Sequence, residues 1–358
     1  VLNFIARRVL YGLLVLFGVV TVVFILFNVL PGDPARMMLG QRADKASIEA
    51  INKDLGLNQP LPTQYFLYLN DLSPISFHHK SNKESIIFLD PTKYEGKQLI
   101  SLGSYVLIAK FPYLRRSYQT QKKVNQIIAE TLVETTVLAV AAMFLATVLG
   151  ILLGLLSALF KDGVLDRLSL VFATSGMALP SFFVGIVIAW VFGYLLSDYT
   201  GLDMTGSLFE VDDLGNGEYL SIRNLVLPAV TLGVRPLAVI VQLSRNSMLE
   251  VLGQDYIRTA RAKGLSNKIV VLKHALRNAL NPVLTAVSGM FASLMAGAVF
   301  VEIVFAWKGI GWEVVNALEK YDLPVVMGAV LVIAVIFVVI NIIVDILYGV
   351  LDPRVRVS

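Results

Sequence analysis

The chain has no cysteine and only three histidines, His78, His79 and His274. Disulfides and thiolate metal sites are thereby excluded, and an imidazole cluster has little to draw on. Charge is scarce as well: Asp, Glu, Lys and Arg make up 16% of the 358 residues, where soluble domains carry about 25%. The sequence contains no G-x-x-x-x-G-K-[ST] phosphate cradle, no H-E-x-x-H zinc pair and no G-x-S-x-G nucleophile elbow, so neither a self-sufficient ATPase nor an intramembrane hydrolase has its chemistry here. A formal net charge of +4 is too small to single out nucleic acid as a partner.

What is abundant is apolar surface. Hydrophobic residues make up 56% of the chain and the mean hydropathy is +0.72, more than a polar coat can hide from water. A spanning helix needs ~20 mostly apolar residues, and six segments meet that: Val9 to Leu30, Thr131 to Phe160, Leu168 to Leu196, Leu225 to Met248, Val283 to Phe305 and Leu323 to Tyr348. The first is too long for a signal-peptide core, with no A-x-A site after it, and is expected to be retained. The pattern predicts an all-α polytopic membrane protein.

Lys and Arg in the short connections set the orientation. With the N-terminus cytoplasmic, the inner pieces hold Arg7, Arg8, Lys161, Arg167, Arg245, Arg258, Arg261, Lys263, Lys268, Lys273, Arg277, Arg354 and Arg356, and the short outer loops only Arg223, Lys308 and Lys320. Both termini are then cytoplasmic. The expected organisation is residues 1–30 as a cytoplasmic stub and first helix, 31–130 as an outer segment, and 131–358 as the core. The outer segment carries turn formers and short apolar runs at Ile86 to Leu89 and Tyr105 to Ile108, which predicts a small subdomain with some strand. The acidic, glycine-containing stretch Ser197 to Asn224 is expected to be a loop.

Lipid gives helices no hydrophobic reason to associate, so small residues mark packing faces. Ala142, Ala146, Gly150, Gly154 and Ala158 recur every fourth residue in the second segment, and Gly289, Ser293 and Gly297 repeat the device in the fifth. Pro180, Pro228 and Pro236 should bend or open their helices. Arg235, mid-way along the fourth segment, should face the bundle or a wet cavity, either to meet a substrate carboxylate or to pair with Glu134 or Glu302, unless the span is shifted so that Arg235 lies shallower. Glu302 and Asp345, near segment ends, are explained by interfacial snorkelling or helix contacts. His78 and His79, without nearby carboxylates, make a poor metal site and suggest a solvated loop.

The cytoplasmic loop 248–282 has the local grammar of helix, turn, helix. Gly264 suits the left-handed position that stops the first helix, with Leu265 placed for the accompanying apolar contact. Ser266 is positioned to cap the second helix, and Pro282 to open the next span. Ala260, Ala262 and Gly264 keep this elbow slim enough to enter a cleft in another protein.

The stretch resembles the EAA loop of ABC importer permeases, with Ala260, Gly264 and Pro282 in the expected places. The string from Gly253 to Gly264, followed by His274-Ala-Leu-Arg-Asn-Ala-Leu, resembles the dipeptide/oligopeptide/nickel branch. So do Pro31-Gly32-Asp33-Pro34, Leu55 to Pro62, Val301 to Trp307 with Gly309-Ile-Gly311, and Leu351 to Arg356. Lys308 departs from the proline expected there, and about Ser76 to Lys110 looks inserted relative to shorter relatives. The resemblance implies a six-helix type I importer permease with an outer subdomain between its first two helices. It implies a second, similar permease, two ATP-binding subunits and an extracytoplasmic binding protein as partners, in the inner membrane of a prokaryote. ATP and Mg would be held by the partner subunits, and no cofactor by this chain. The coupling contact would fall on Glu250, Asp255, Tyr256, Arg258, Ala260, Arg261, Ala262, Lys263, Gly264, Leu265, His274, Arg277 and Pro282, and the pathway on Arg235. Dipeptides or oligopeptides are the implied cargo, with nickel or another small solute open beside them. A secondary transporter is the rival class, weakened by the absence of evident internal repeats.

Overall fold

The computed structural model describes residues 2–29, 48–49, 52, 56–82, 85–91, 93–212 and 217–351. The motifs at Pro31 to Pro34 and beyond Leu351 lie outside the described residues. Four described helices are long and apolar enough to cross a membrane. They are carried by α1 (Leu2–Val29), α3 (Val124–Leu159), α6 (Val226–Leu252) together with the 3-10 turn Ile222–Leu225 that leads into it, and α11 (Leu323–Leu351). The third expected span is instead a bent pair, α4 (Val164–Ala178) and α5 (Ser181–Trp190), the latter running into a π turn at Val191–Leu195. The pair is bent by 113° beside Pro180, which has no N–H to continue the helix and holds Leu179 in an extended conformation (ψ 137°). The fifth is shorter than expected, α8 (Asn281–Gly297), with α9 (Val299–Val304) following an interruption at Ala298. Pro228 and Pro236 do not break α6: the first sits in its opening turn and the second lies inside a continuous helix.

The chain packs as two units. The first, Val1–Val15, Thr131–Glu313 and Ile333–Ser358, is organised by the contact of α3 with α6. Ala142, Ala146 and Ala158 are buried. A Cβ on Gly150 would stand 2.6 Å from the Ile240 side chain, and one on Gly154 would stand 2.5 Å from Ser244 Cβ and 2.7 Å from the Val241 carbonyl. The helices therefore touch backbone to side chain, which gives dispersion energy where no hydrophobic effect acts. Two members of the second expected ribbon differ: among the described residues nothing lies within 4 Å of a Cβ on Gly289, and Ser293 is exposed. Ser197 to Asn224 is more than a loop, since β4 (Phe209–Val211) and β5 (Glu218–Leu220) pair antiparallel within it.

At the end of α3 away from Ala158, Glu302 is fully buried rather than snorkelling. Its carboxylate accepts from Thr135 Oγ1 at 2.7 Å and Trp312 N at 2.9 Å. Thr135 Oγ1 accepts in turn from Ile310 N at 2.8 Å, and Gly309 fits only because it has no Cβ to meet that oxygen and Glu302. Beside it Glu134 accepts from Leu208 N at 3.1 Å, while its backbone carbonyl takes the Trp307 indole N–H at 3.1 Å. Asp345 pairs with Arg8 at 3.2 Å.

The second unit, Leu16–Glu130 and Val314–Val332, holds α2 (Leu61–Leu72) and a sheet of order β1-β3-β2 from β1 (Ile75–His79), β2 (Gly96–Leu102) and β3 (Tyr105–Lys110). The expected strand at Tyr105 to Ile108 is β3. Ile86 to Leu89 is a turn with a single bridge from Phe88 to His79. Nor are His78 and His79 in a solvated loop. His78 is 1% exposed, bonded to Ser76 Oγ at 2.9 Å and set against the Tyr94 ring; burial lowers its pKa. His79 Nδ1 accepts from Ser81 N and Asn82 N. Asp71 organises the unit, accepting from Tyr94 OH at 2.7 Å and facing Arg115 at 3.5 Å. Burial, with Asp71 adding, pushes the Tyr94 phenol up. Asp322 accepts from Ser117 Oγ and, at 2.9 Å, from Tyr118 N, fixing residues 117–119 at the start of α11.

The α3–α6 contact makes a direct prediction. Gly154→Ala should destabilise the detergent-solubilised protein by about 1–3 kcal/mol through overpacking, and Gly289→Ala should be neutral. Thermal unfolding of the two variants checks this, with a lowered midpoint expected only for the first.

Candidate functional site

After α6 ends at Leu252, one turn closed by Gly253 N to Glu250 O (3.2 Å) and Gln254 N to Val251 O (3.1 Å) leads into α7 (Asp255–Ala262). Asp255 in its first turn and Arg261 in its last complement the helix dipole. Apolar positions on α7 are few but aligned. Ile257 and Ala260, three apart, are buried, while Tyr256, Arg258, Arg261, Ala262 and Lys263 are exposed.

Gly264 ends α7 as the sequence requires, at φ +77°. Its N–H donates to Arg261 O at 2.9 Å, and Leu265 N donates to Ala260 O at 3.4 Å, the paired bonds of a Schellman stop. Two details differ from expectation. Leu265 is exposed, so the accompanying apolar contact is not buried. Ser266 takes the N-cap position with extended backbone (ψ 147°), but its hydroxyl makes no cap bond. The second arm runs through Asn267–Ile269, a π turn at Val270–Ala275 and Leu276–Ala279, and Pro282 lies in the first turn of α8.

The two arms fold onto the ends of two long helices. Ile257, Ala260, Val270, Ala275 and Ala279 share one buried cluster with Ala158 of α3 and Met248 of α6. Asn278 Nδ2 donates to Tyr256 OH at 2.8 Å and ties arm to arm. Ala260 is therefore part of the elbow's own core. Glu250, Asp255, Tyr256, Arg258, Arg261, Ala262, Lys263, Gly264, Leu265, Arg277 and Pro282 lie exposed, and His274 is half-buried with its carbonyl facing Asn278. The outward face combines the cations Arg258, Arg261, Lys263, Lys268, Lys273 and Arg277 with exposed Tyr256, Leu265, Ile269 and Leu272. The Arg258–Asp255 pair, 74% and 93% exposed, adds little to stability.

Sequence reasoning missed the buried side of this site. Ile257 and Ala260 show helical spacing, but Val270, Ala275 and Ala279 are brought inward by a π turn that has no sequence signature. Arg235 stands apart from the elbow, exposed on α6. It does not pair with Glu134 or Glu302, whose carboxylates are taken by the donors described above.

Residues 150–357 match the family described as binding-protein-dependent transport system inner membrane component, and residues 1–82 match the N-terminal region of such membrane components. The dipeptide transport system permease protein DppB of Alkalihalophilus pseudofirmus is 34% identical over 98% of this chain and 98% of its own length. The glutathione transport system permease protein GsiC of Pectobacterium atrosepticum is 33% identical over 99% of each. The probable D,D-dipeptide transport system permease protein DdpB of Escherichia coli is 36% identical over 98% of this chain and 97% of its own. A chain of the inward-facing MetNI methionine ABC transporter matches with a TM-score of 0.49 and 20% identity over 64% of this chain and 97% of that one. With matches over more than half the chain and relatives along nearly all of it, the protein belongs to the binding-protein-dependent transport system inner membrane component family, and is a membrane transport subunit of the ABC class.

Proposed function

We propose that this chain is the permease half of an ATP-driven importer of dipeptides or oligopeptides, moved through its elbow by a separate ATPase. The observation that carries the reading is the elbow's two-sidedness. Its apolar side is fused to α3 and α6 in one buried cluster, and its other side presents cations and apolar groups to the surroundings. Force applied to the exposed face is delivered to two long helices. Glu250, Asp255, Tyr256, Arg258, Arg261, Ala262, Lys263, Gly264, Leu265, Arg277 and Pro282 line that face, with His274 and Ala260 supporting it from behind. The groove that receives it belongs to one of two ATP-binding subunits, which hold ATP and Mg; a second permease and a binding protein outside the membrane complete the assembly. The elbow and both termini are on the ATPase side, and the segment 31–130 is on the binding-protein side. Relatives named for dipeptides, glutathione and D,D-dipeptides support a peptide as cargo.

Arg235 belongs to the translocation path in this reading. A cation mid-way along a span costs at least ~2.5 kcal/mol against lipid, and Arg235 is exposed on its own chain. It faces the second permease or a water-filled route between them, where it meets a peptide carboxylate.

Gly264→Val forces a β-branched residue into left-handed backbone. Uptake by the reconstituted complex should fall about ten-fold or more, and the ATPase subunits should no longer co-purify with an inserted permease; retained docking and transport contradict the coupling role. Arg235→Ala should lower peptide uptake several-fold with assembly intact, and unchanged uptake removes it from the path. Binding of a peptide panel and of nickel to the partner binding protein decides the cargo, with peptides expected to bind and nickel alone not.

A further inference from the structure

Behind the elbow lies an ion pair that the docking face does not use. Arg245 of α6 holds Asp166 of α4 in a two-pronged contact, Nε to Oδ1 at 2.6 Å and Nη2 to Oδ2 at 2.8 Å. The two side chains are 13% and 2% exposed. The same carboxylate accepts from Ser157 Oγ near the end of α3 and from the backbone N–H of Asp162 at 2.9 Å. Asp162 sits at φ +64° in the reversal between α3 and α4. One carboxylate thus takes donors from α3, the reversal and α6, all near the elbow. Ser157 adjoins Ala158, and Arg245 lies three residues before Met248, both members of the elbow's buried cluster.

Desolvating an ion pair is an inefficient way to add stability, because an apolar contact of the same size often does as well. What the fork adds is direction: a bidentate guanidinium–carboxylate contact fixes relative position as well as proximity. Further along, the buried contact of α4 with α6 among the described residues is apolar, with Met177 and Leu237 packed beside it. Ala173 packs with Ala238 and Val241, and a Cβ on Gly176 would be 3.2 Å from Ala238. Such a face has no directional polar contact, whereas the end at Asp166 has a two-pronged one.

We propose that Asp166 and Arg245 form a positioning pair for energy coupling. They lock α4 in register with α3 and α6 at the root of the elbow, so that an elbow displacement carries α4, and the bent arm beyond Pro180, with it. This rests on the coupling role of the elbow. Without the pair, the ATPase still docks and turns over, but less of its stroke reaches the helices.

The test uses the full complex in proteoliposomes, with Asp166→Asn, Arg245→Gln and the double variant. The expected result is normal co-purification of ATPase subunits, continued ATP hydrolysis, and uptake per ATP hydrolysed reduced about five-fold or more in each single variant. The double variant should be no worse than the poorer single one, as for two residues acting as one device. Arg245→Lys, which keeps the charge and loses the fork, should also reduce uptake per ATP. Wild-type uptake per ATP in Asp166→Asn overturns the proposal, as do additive losses in the double variant. Failure of Asp166→Asn and Arg245→Lys to insert or assemble also overturns it, since the pair is then scaffold only. The elbow reading fails by a separate sign, wild-type docking and transport in Gly264→Val, so the two failures are distinguishable.

Discussion

The close approach of α3 to α6 is the constraint on which the rest of the first unit depends. From Ala142, whose carbonyl lies 3.0 Å from where a Cβ on Gly233 would be, through Gly150 and Gly154, to Ala158, the two helices are held at a separation that larger residues do not permit. Both polar assemblies are built at the ends of this seam. At one end Glu134 and Thr135 anchor Leu208, Trp307 and the turn at Gly309. At the other, Ala158 and Met248 form the floor on which the elbow sits, and Ser157 and Arg245 flank Asp166. Spreading the seam would remove the support of each.

The sparse charges are used in two distinct ways. Glu302, Glu134 and Asp166 are buried, and each carboxylate is met by hydroxyl, backbone or guanidinium donors, which makes burial tolerable. The elbow's cations and Arg235 stay exposed on this chain. Buried charges fix the helices to one another; exposed ones either pair loosely at the surface, as Arg223 does with Asp203, or, in the function proposed above, are available to other subunits and to cargo. That division lets one chain be rigid within its core and still offer contacts on its surface.

Much of this is legible in the sequence where the physics is local. The Gly264 stop, the Pro180 break and the Ala/Gly ribbon of α3 follow from backbone conformation, a missing N–H and helical spacing. What was not legible depends on partners far apart in the chain. Nothing near Glu302 announces Thr135, and nothing near Arg245 announces Asp166. The Gly289/Ser293 pair has the same spacing as the ribbon of α3, yet among the described residues nothing lies within 4 Å of a Cβ on Gly289 and Ser293 is exposed, because spacing shows which residues share a face and not what covers it. With no carboxylate or thiol beside it in the sequence, His78 suggests a solvated loop, whereas strand alternation turns it inward against Tyr94.

The central claim is that elbow and helix end move as one body. The chain has no cysteine, so spin labels placed on it alone at Lys263→Cys on the elbow and Phe160→Cys beyond α3, before assembly with unlabelled partner subunits, report their separation. The account predicts that the interspin distance in the assembled transporter changes by no more than about 2 Å, the scale of small helix shifts, between nucleotide-free and ATP-trapped states. A change of about one helical turn, ~5.4 Å, would show the elbow moving independently of the helix it is meant to drive.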